Sequence, residues 1–152
     1  MTEKETYHYP AEWEKQDCVQ LTWPHEETDW KDELDEVEKC FISICQEIIK
    51  VEKVIIVHPH IDKLKERLQM KNVNFNKEQV IYVECNSDDT WSRDHAFITI
   101  MKNNKPELLD FKFNAWGGKY DNKYDNVMNK LIYNRSIFNE CCEYVNNLDY
   151  EF

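Results

Sequence analysis

Apolar residues recur along this chain with two distinct spacings. Between Thr28 and Lys50, the residues Trp30, Leu34, Val37, Phe41, Ile44 and Ile48 return at steps of three and four, with acidic side chains between them. That spacing predicts a long amphipathic helix, because 3.6 residues per turn gather such positions into one stripe. Thr28 or Asp29 stands where an N-cap is wanted, and the early acids suit the positive end of the helix dipole. Continuous apolar runs mark strands instead: CVQLTWP (18–24), KVIIVHP (53–59) and QVIYVEC (79–85), the first two closed by proline. Between the last two lies a short helix, IDKLKERLQM, with Ile61, Leu64 and Leu68 on one side. HAFITIM (95–101) and ELLDFKFNAW (107–116) flank the turn KNNKPE as a predicted hairpin. KYDNVMNKLIY returns to helical spacing through Tyr124, Val127, Met128, Leu131 and Ile132, and CCEYVNNLDYEF is expected to start another strand. Strands therefore alternate with helices, a hairpin interrupts any simple parallel winding, and the class is α/β. No linker divides residues 1–152, which read as a single partial domain.

Composition narrows the functional classes. A chain of 152 residues with 41% hydrophobic and 13% aromatic residues can bury a core, so global disorder is excluded. The only glycines are Gly117 and Gly118, which rules out a glycine-rich phosphate loop. It also leads one to expect almost no turns with positive φ elsewhere. A net charge of −11 argues against nucleic acid as a partner and suits a cationic ligand better. No apolar run approaches membrane-spanning length and MTEKETYHYPAEWEK holds no signal-peptide core, so no membrane partner and a cytoplasmic location are expected. Six cysteines (Cys18, Cys40, Cys45, Cys85, Cys141, Cys142) form no CxxC pair, and reduced, partly buried thiols are the expectation.

Several clusters invite a chemical reading. His58 and His60 in HPH have no carboxylate or thiol pair at ligand spacing, and a strand-end turn is favoured over a metal site. Cys141 and Cys142 lie in NECCEYV, where acids replace the cation or base a thiolate needs, so structural cysteines are favoured. Trp13, Trp23 and Trp30 are spaced as core or staple residues. SDDTWSRDHAFI (87–98) is less easily dismissed. A planar guanidinium is held well by a carboxylate fork and an aromatic face, and Trp91 with Asp94 offers both at a loop-to-strand junction. From composition alone, the competing reading is that Asp94 pairs with Arg93 or caps a turn.

A resemblance shifts that balance. PAEWEKQDCVQLTWPHEETDW, SDDTWSRDHAFI and DFKFNAWGGKY follow one another in the order and spacing of the agmatine deiminase family, a bacterial branch related to peptidyl-arginine deiminases. The resemblance covers essentially everything from Pro10 onward. It implies an α/β propeller, the pentein fold, of ββαβ-type modules around a central active site, with about the first two modules present here. The implied reaction hydrolyses agmatine to N-carbamoylputrescine and ammonia, feeding putrescine and polyamine synthesis, with no metal and no cofactor. In it a Cys thiolate attacks the guanidinium carbon, a His-activated water resolves the intermediate, and two carboxylates hold the guanidinium nitrogens. Carried onto this chain, Asp94 is the first of those carboxylates and Trp91 lines or stacks on the substrate. Asp89 is a loop organiser, Arg93 braces the loop, and Trp116 is a pocket wall beside Asn114. Gly117 and Gly118 are expected to let the backbone approach a central channel.

The sequence also departs from the pattern. The Glu-Gly-Gly segment, the His-x-Asp segment and the terminal His-Cys of the family have no counterpart here. The expectation is an N-terminal portion that carries one substrate carboxylate and lacks nucleophile, base and second carboxylate. Alone, such a portion is expected not to turn over agmatine, since nucleophile and base act as a unit. An open half-ring is expected to associate with itself or with a complementing C-terminal half. The alternative is a non-catalytic remnant that binds a guanidino ligand or a partner, with peptidyl-arginine the competing substrate for the complete protein.

Overall fold

The computed structural model describes residues 5–135, 137–138 and 142–148. Two sheets are formed. The first runs β2 (Cys18–Thr22), β3 (Lys53–His58), β4 (Val80–Glu84), all parallel, with Cys18 opposite Lys53 and Val54 opposite Val80. Its crossovers are α1 (Leu34–Ile48) and α2 (Ile61–Met70). The second sheet is ordered β1 (Tyr7–His8), β5 (Ile98–Lys102), β6 (Lys105–Phe111), β7 (Glu143–Leu148), with β5 and β6 the expected hairpin and β7 parallel to β6. Two single turns, α3 (Ser92–His95) and α4 (Ala115–Gly118), and the helix α5 (Asp125–Asn134) complete the fold. Of the sequence's terminal run, the strand lies within 143–148, while Cys141 and residues 149–152 fall outside the described residues.

The continuous apolar character of β3 is explained by burial on both faces. Alternate residues separate the two cores, as a period of two requires. Val54 and Ile56 pack with Trp23, Ile42, Cys45, Leu64, Leu68, Phe75 and Val80 beneath α1 and α2. Ile55 and Val57 pack with Val83, Cys85, Met128 and Ile132, so α5 closes the opposite face. The strand that follows β4 belongs to the other sheet, and α5 thus lies where the two sheets meet.

Several details differ from the sequence pattern. Helix α1 starts at Leu34, after a 3-10 turn at Lys31–Glu33, and neither Thr28 nor Asp29 caps it. Thr28 is buried and its Oγ1 donates to the His25 carbonyl at 2.8 Å, closing an earlier turn. The buried stripe of α1 is Leu34, Glu38, Ile42 and Cys45, while Ile44 is exposed. Glu38 survives there because Lys71 Nζ lies 2.6 Å and Arg67 Nε 3.3 Å from its carboxylate, and Trp23 Nε1 donates to it. In α5 the buried face is Asp125, Met128, Asn129 and Ile132, displaced from the purely apolar pattern because Val127 and Leu131 face outward. Trp23 is fully buried, but Trp13 is 88% exposed and belongs to no core. Positive φ is also more widespread than two glycines suggest. Asn72, Asn103 and Asn104 adopt it, the last two (φ 50° and 62°) making the tight hairpin turn for which asparagine substitutes well.

Candidate functional site

The chain leaves β4 at Glu84 and reaches α3 through a loop fixed from below at several points. The Asp88 carboxylate accepts the backbone N–H groups of Tyr124 (2.6 Å) and Asp125 (3.3 Å) at the start of α5. In return Asp125 Oδ1 accepts the N–H groups of Asp88 (2.9 Å) and Asp89 (3.5 Å). This is the reciprocity of a capping box, made here between a distant loop and a helix start. Asp89 Oδ1 accepts the Thr90 N–H at 2.6 Å and Trp30 Nε1 donates to Thr90 Oγ1 at 2.9 Å. Ser92 Oγ accepts the Thr22 N–H at 3.0 Å, tying the turn to the end of β2. His95 closes the turn inward, 2% exposed.

What remains outside is Trp91, 52% exposed, with Arg93 and Asp94 beside it. Among the described residues the Asp94 carboxylate makes no ion pair and accepts no hydrogen bond, so neither Arg93 pairing nor a capping role occupies it. Arg93 likewise has no partner there. The bracing expected of Arg93 is done by Asp88, Asp125 and Ser92, because neutral N–H and hydroxyl partners lie beneath the turn while Arg93 points to solvent.

The second loop is fastened to the same helix start. Phe113 N–H donates to Asn126 Oδ1 (2.8 Å), and its carbonyl accepts from Asn122 Nδ2 (2.8 Å) and Asn126 Nδ2 (2.9 Å). From there Ala115 to Gly118 all take positive φ, a left-handed turn closed by the Gly117 N–H on Asn114 Oδ1 (3.1 Å). Gly117 and Gly118 serve this conformation rather than a close backbone approach: among the described residues nothing lies within 4 Å of a Cβ at either position. Trp116, 46% exposed, meets Phe113 edge-on at 5.1 Å and Tyr120 at 5.6 Å, and Phe113 faces His95 at 6.4 Å. Rings therefore connect the two loops beneath their surfaces. Asp89, Trp91 and Asp94 share one arc, and Trp116 reaches it through Phe113 and His95.

Burial governs the titratable groups. It pushes Asp125 up to about 6 and raises Asp89 as well. It drives His95 and His58 down to about 4 and lowers His25. The thiols of Cys18 and Cys85 rise to about 11 and that of Cys45 to about 12, so all three are protonated at neutral pH, matching the structural role expected of them. Cys141, half of the Cys141–Cys142 pair, lies outside the described residues. His58 ends β3 with its Nδ1 accepting the His60 N–H at 2.9 Å, the strand-end turn read from HPH. No group of three metal-ligating side chains occurs among the described residues. None of their helices is long and apolar enough to cross a membrane.

Asp88 and Ser92 lie in the stretch that the sequence singles out but were given no role there, and Asn122, Asp125 and Asn126 are the residues that sequence reading missed. The signal was present in DNKYDN (121–126), a polar cluster directly before an apolar-periodic segment, which is where a helix start collects side-chain partners.

The architecture is that of an α/β protein whose loops at the end of a parallel sheet carry an exposed Trp and Asp. The family model of the Porphyromonas-type peptidyl-arginine deiminases matches residues 8–146, and the chain belongs to that family. It is 34% identical over 118 residues to a Mycoplasma capricolum protein named "Putative agmatine deiminase", covering 76% of this chain and 30% of that protein. A protein of the same name from Vibrio parahaemolyticus is 30% identical over 124 residues, covering 79% of this chain and 32% of its own length. The structure of a C. jejuni agmatine deiminase with substrate bound superposes with a TM-score of 0.79 at 27% identity, covering 96% of this chain and 41% of that one. The chain thus spans well under half the length of these relatives.

Proposed function

We propose that this chain supplies the guanidinium-holding turn of an agmatine deiminase, the hydrolase that converts agmatine to N-carbamoylputrescine and ammonia on the way to putrescine. The observation that carries this reading is the outward pair Trp91 and Asp94 on a turn that Asp88, Asp125 and Ser92 fasten from beneath. A guanidinium stays charged at any physiological pH and presents parallel N–H groups, which a free carboxylate accepts in a fork. Asp94 takes that part, the Trp91 ring offers its negative face to the planar cation, and Trp116 adds a further wall. Asp89 organises the loop through its bond to Thr90.

Cleavage of the C–N bond needs a nucleophile at the guanidino carbon. Cys45 and Cys85 are buried and protonated, and Cys18 is half-buried with its thiol raised by burial and by Asp17 and Glu52, so none of these three supplies it. The thiolate and its histidine are assigned to sequence beyond this chain, which by itself binds without turnover and completes its site by associating with itself or with a complementing half. Location in the cytoplasm follows from the same reading.

Titration calorimetry of the chain with agmatine, beside Asp94→Asn, tests this directly. Saturable binding that the variant loses is expected, and ammonia release only once the remainder of the protein is supplied. Flat heats from a folded chain, or equal affinity in Asp94→Asn, would overturn it. An arginine-containing peptide in the same cell separates agmatine from peptidyl-arginine, the second substrate class the family name carries.

A further inference from the structure

Asp125 has no place in the chemistry described so far, yet it is 1% exposed, a costly position for a carboxylate. It is not needed to end α5, since Asp88 already accepts the leading N–H groups of that helix. What Asp125 does is reach outward: its Oδ1 takes the N–H groups of Asp88 and Asp89. One turn further along the same buried face, Asn129 Nδ2 donates to the His95 carbonyl at 2.7 Å. Helix α5 therefore holds the arc at both ends, at residues 88–89 and at 95. Between those two clamps stand Trp91 and Asp94, the exposed members.

We propose that Asp125 is a positioning residue for the guanidinium-holding turn, acting through the backbone of Asp88 and Asp89; the proposal rests on the binding role given above to Trp91 and Asp94. A bidentate fork on a planar cation is sensitive to displacement of the carboxylate, so a turn released at one clamp loses affinity although no contacting side chain has changed. Only Oδ1 is used for the clamp, while Oδ2 is buried with no hydrogen-bond partner among the described residues. An amide at this position keeps the acceptor and discards the charge. Asp125→Asn is therefore expected to hold the turn, and Asp125→Ala to free it.

The test compares wild type, Asp125→Ala and Asp125→Asn in the full chain, by hydrogen–deuterium exchange and by agmatine titration. The alanine variant is expected to exchange faster across residues 88–95 while β3 stays protected, and to bind agmatine roughly tenfold or more weakly. The asparagine variant is expected to restore both. Should the alanine variant not fold, Asp125→Ser takes its place, its hydroxyl falling short of the two amides. Wild-type exchange across 88–95 in the alanine or serine variant would overturn the proposal. So would loss of β3 protection together with the turn, or failure of asparagine to rescue. A wild-type chain that binds no agmatine removes the guanidinium reading, and the exchange arm then decides by itself whether Asp125 holds the turn.

Discussion

Replacing His95 with phenylalanine should flatten the acid sensitivity of the chain. The ring is 2% exposed, packs toward Phe113, and neither nitrogen has a hydrogen-bond partner among the described residues. Burial lowers its pKa from 6.5 to about 4, so the folded state holds the neutral form. The unfolded chain protonates first, and stability present above pH 6.5 is lost as pH falls toward 4. The complete loss is about 3 kcal/mol, of which about 2 kcal/mol has gone by pH 5. His58, lowered to the same value by burial, contributes a similar loss. Asp125 runs the other way: its carboxyl is raised from 3.8 to about 6, so the folded state takes up the proton first and gains about 1 kcal/mol between pH 7.5 and 5. Wild type should therefore lose about 3 kcal/mol over that interval and His95→Phe only about 1 kcal/mol. The backbone bond from Asn129 to the His95 carbonyl does not involve the ring and survives the change. Urea unfolding followed by circular dichroism at pH 7.5, 6.5, 5.5 and 5 reads both slopes. Identical slopes in the two proteins would mean that the ring is hydrated or charged in the folded state, and the argument would fail. So would a variant destabilised by several kcal/mol at pH 7.5, which would reveal an essential ring contact.

Three further outcomes test the fold around the site. Glu38→Ala leaves Arg67 and Lys71 beside an apolar cavity and Trp23 Nε1 without its acceptor, and should cost about 3 kcal/mol or more in urea unfolding at pH 7.5. Gly118→Ala meets no neighbour within 4 Å, so its cost of about 1 kcal/mol or more comes from φ +76° alone; an unchanged melting curve would contradict a left-handed turn there. Asn104→Gly, at φ 62° in the β5–β6 hairpin, should raise stability by about 0.5 kcal/mol, and a loss in the same measurement would speak against that turn.

How far the sequence disclosed these features depended on whether one face or two had to be satisfied. β3 was legible because it is buried on both sides and reads as an unbroken apolar run from Val54 to Val57. The stripe of α1 was legible in period and in part of its membership, Leu34, Phe41 and Ile48, but not in Glu38, which is paid for by cations two elements away that no local pattern contains. Positive φ at Asn103 and Asn104 was invisible to a reading that counted only glycines, although asparagine adopts that region more readily than most residues. Trp91 and Asp94 stood out by their chemistry, and the resemblance gave them roles. The groups that fix them did not stand out, because Asp88 and Asp125 look like ordinary acids until the fold brings a loop onto a helix start.

That arrangement has a consequence for how the site is held. Helix α5 buries Met128 and Ile132 against Ile55, Val57 and Val83, so its position is set by the doubly buried strand β3 and its neighbour β4. Its first two turns receive the arc of residues 88–95 through Asp88, Asp125 and Asn129, and the segment leading into the helix and its first turn receive the 113–118 loop through Asn122 and Asn126. Both loops therefore take their coordinates from one rigid element in addition to the His95–Phe113 ring contact between them, and Trp116 and Trp91 need share no contact to keep a fixed relation. Rigid elements hold functional groups to tighter tolerances than loops do. The acidic first turn of α5, which composition alone would read as a solvated helix end, is the joint through which the hydrophobic core sets the placement of the exposed carboxylate.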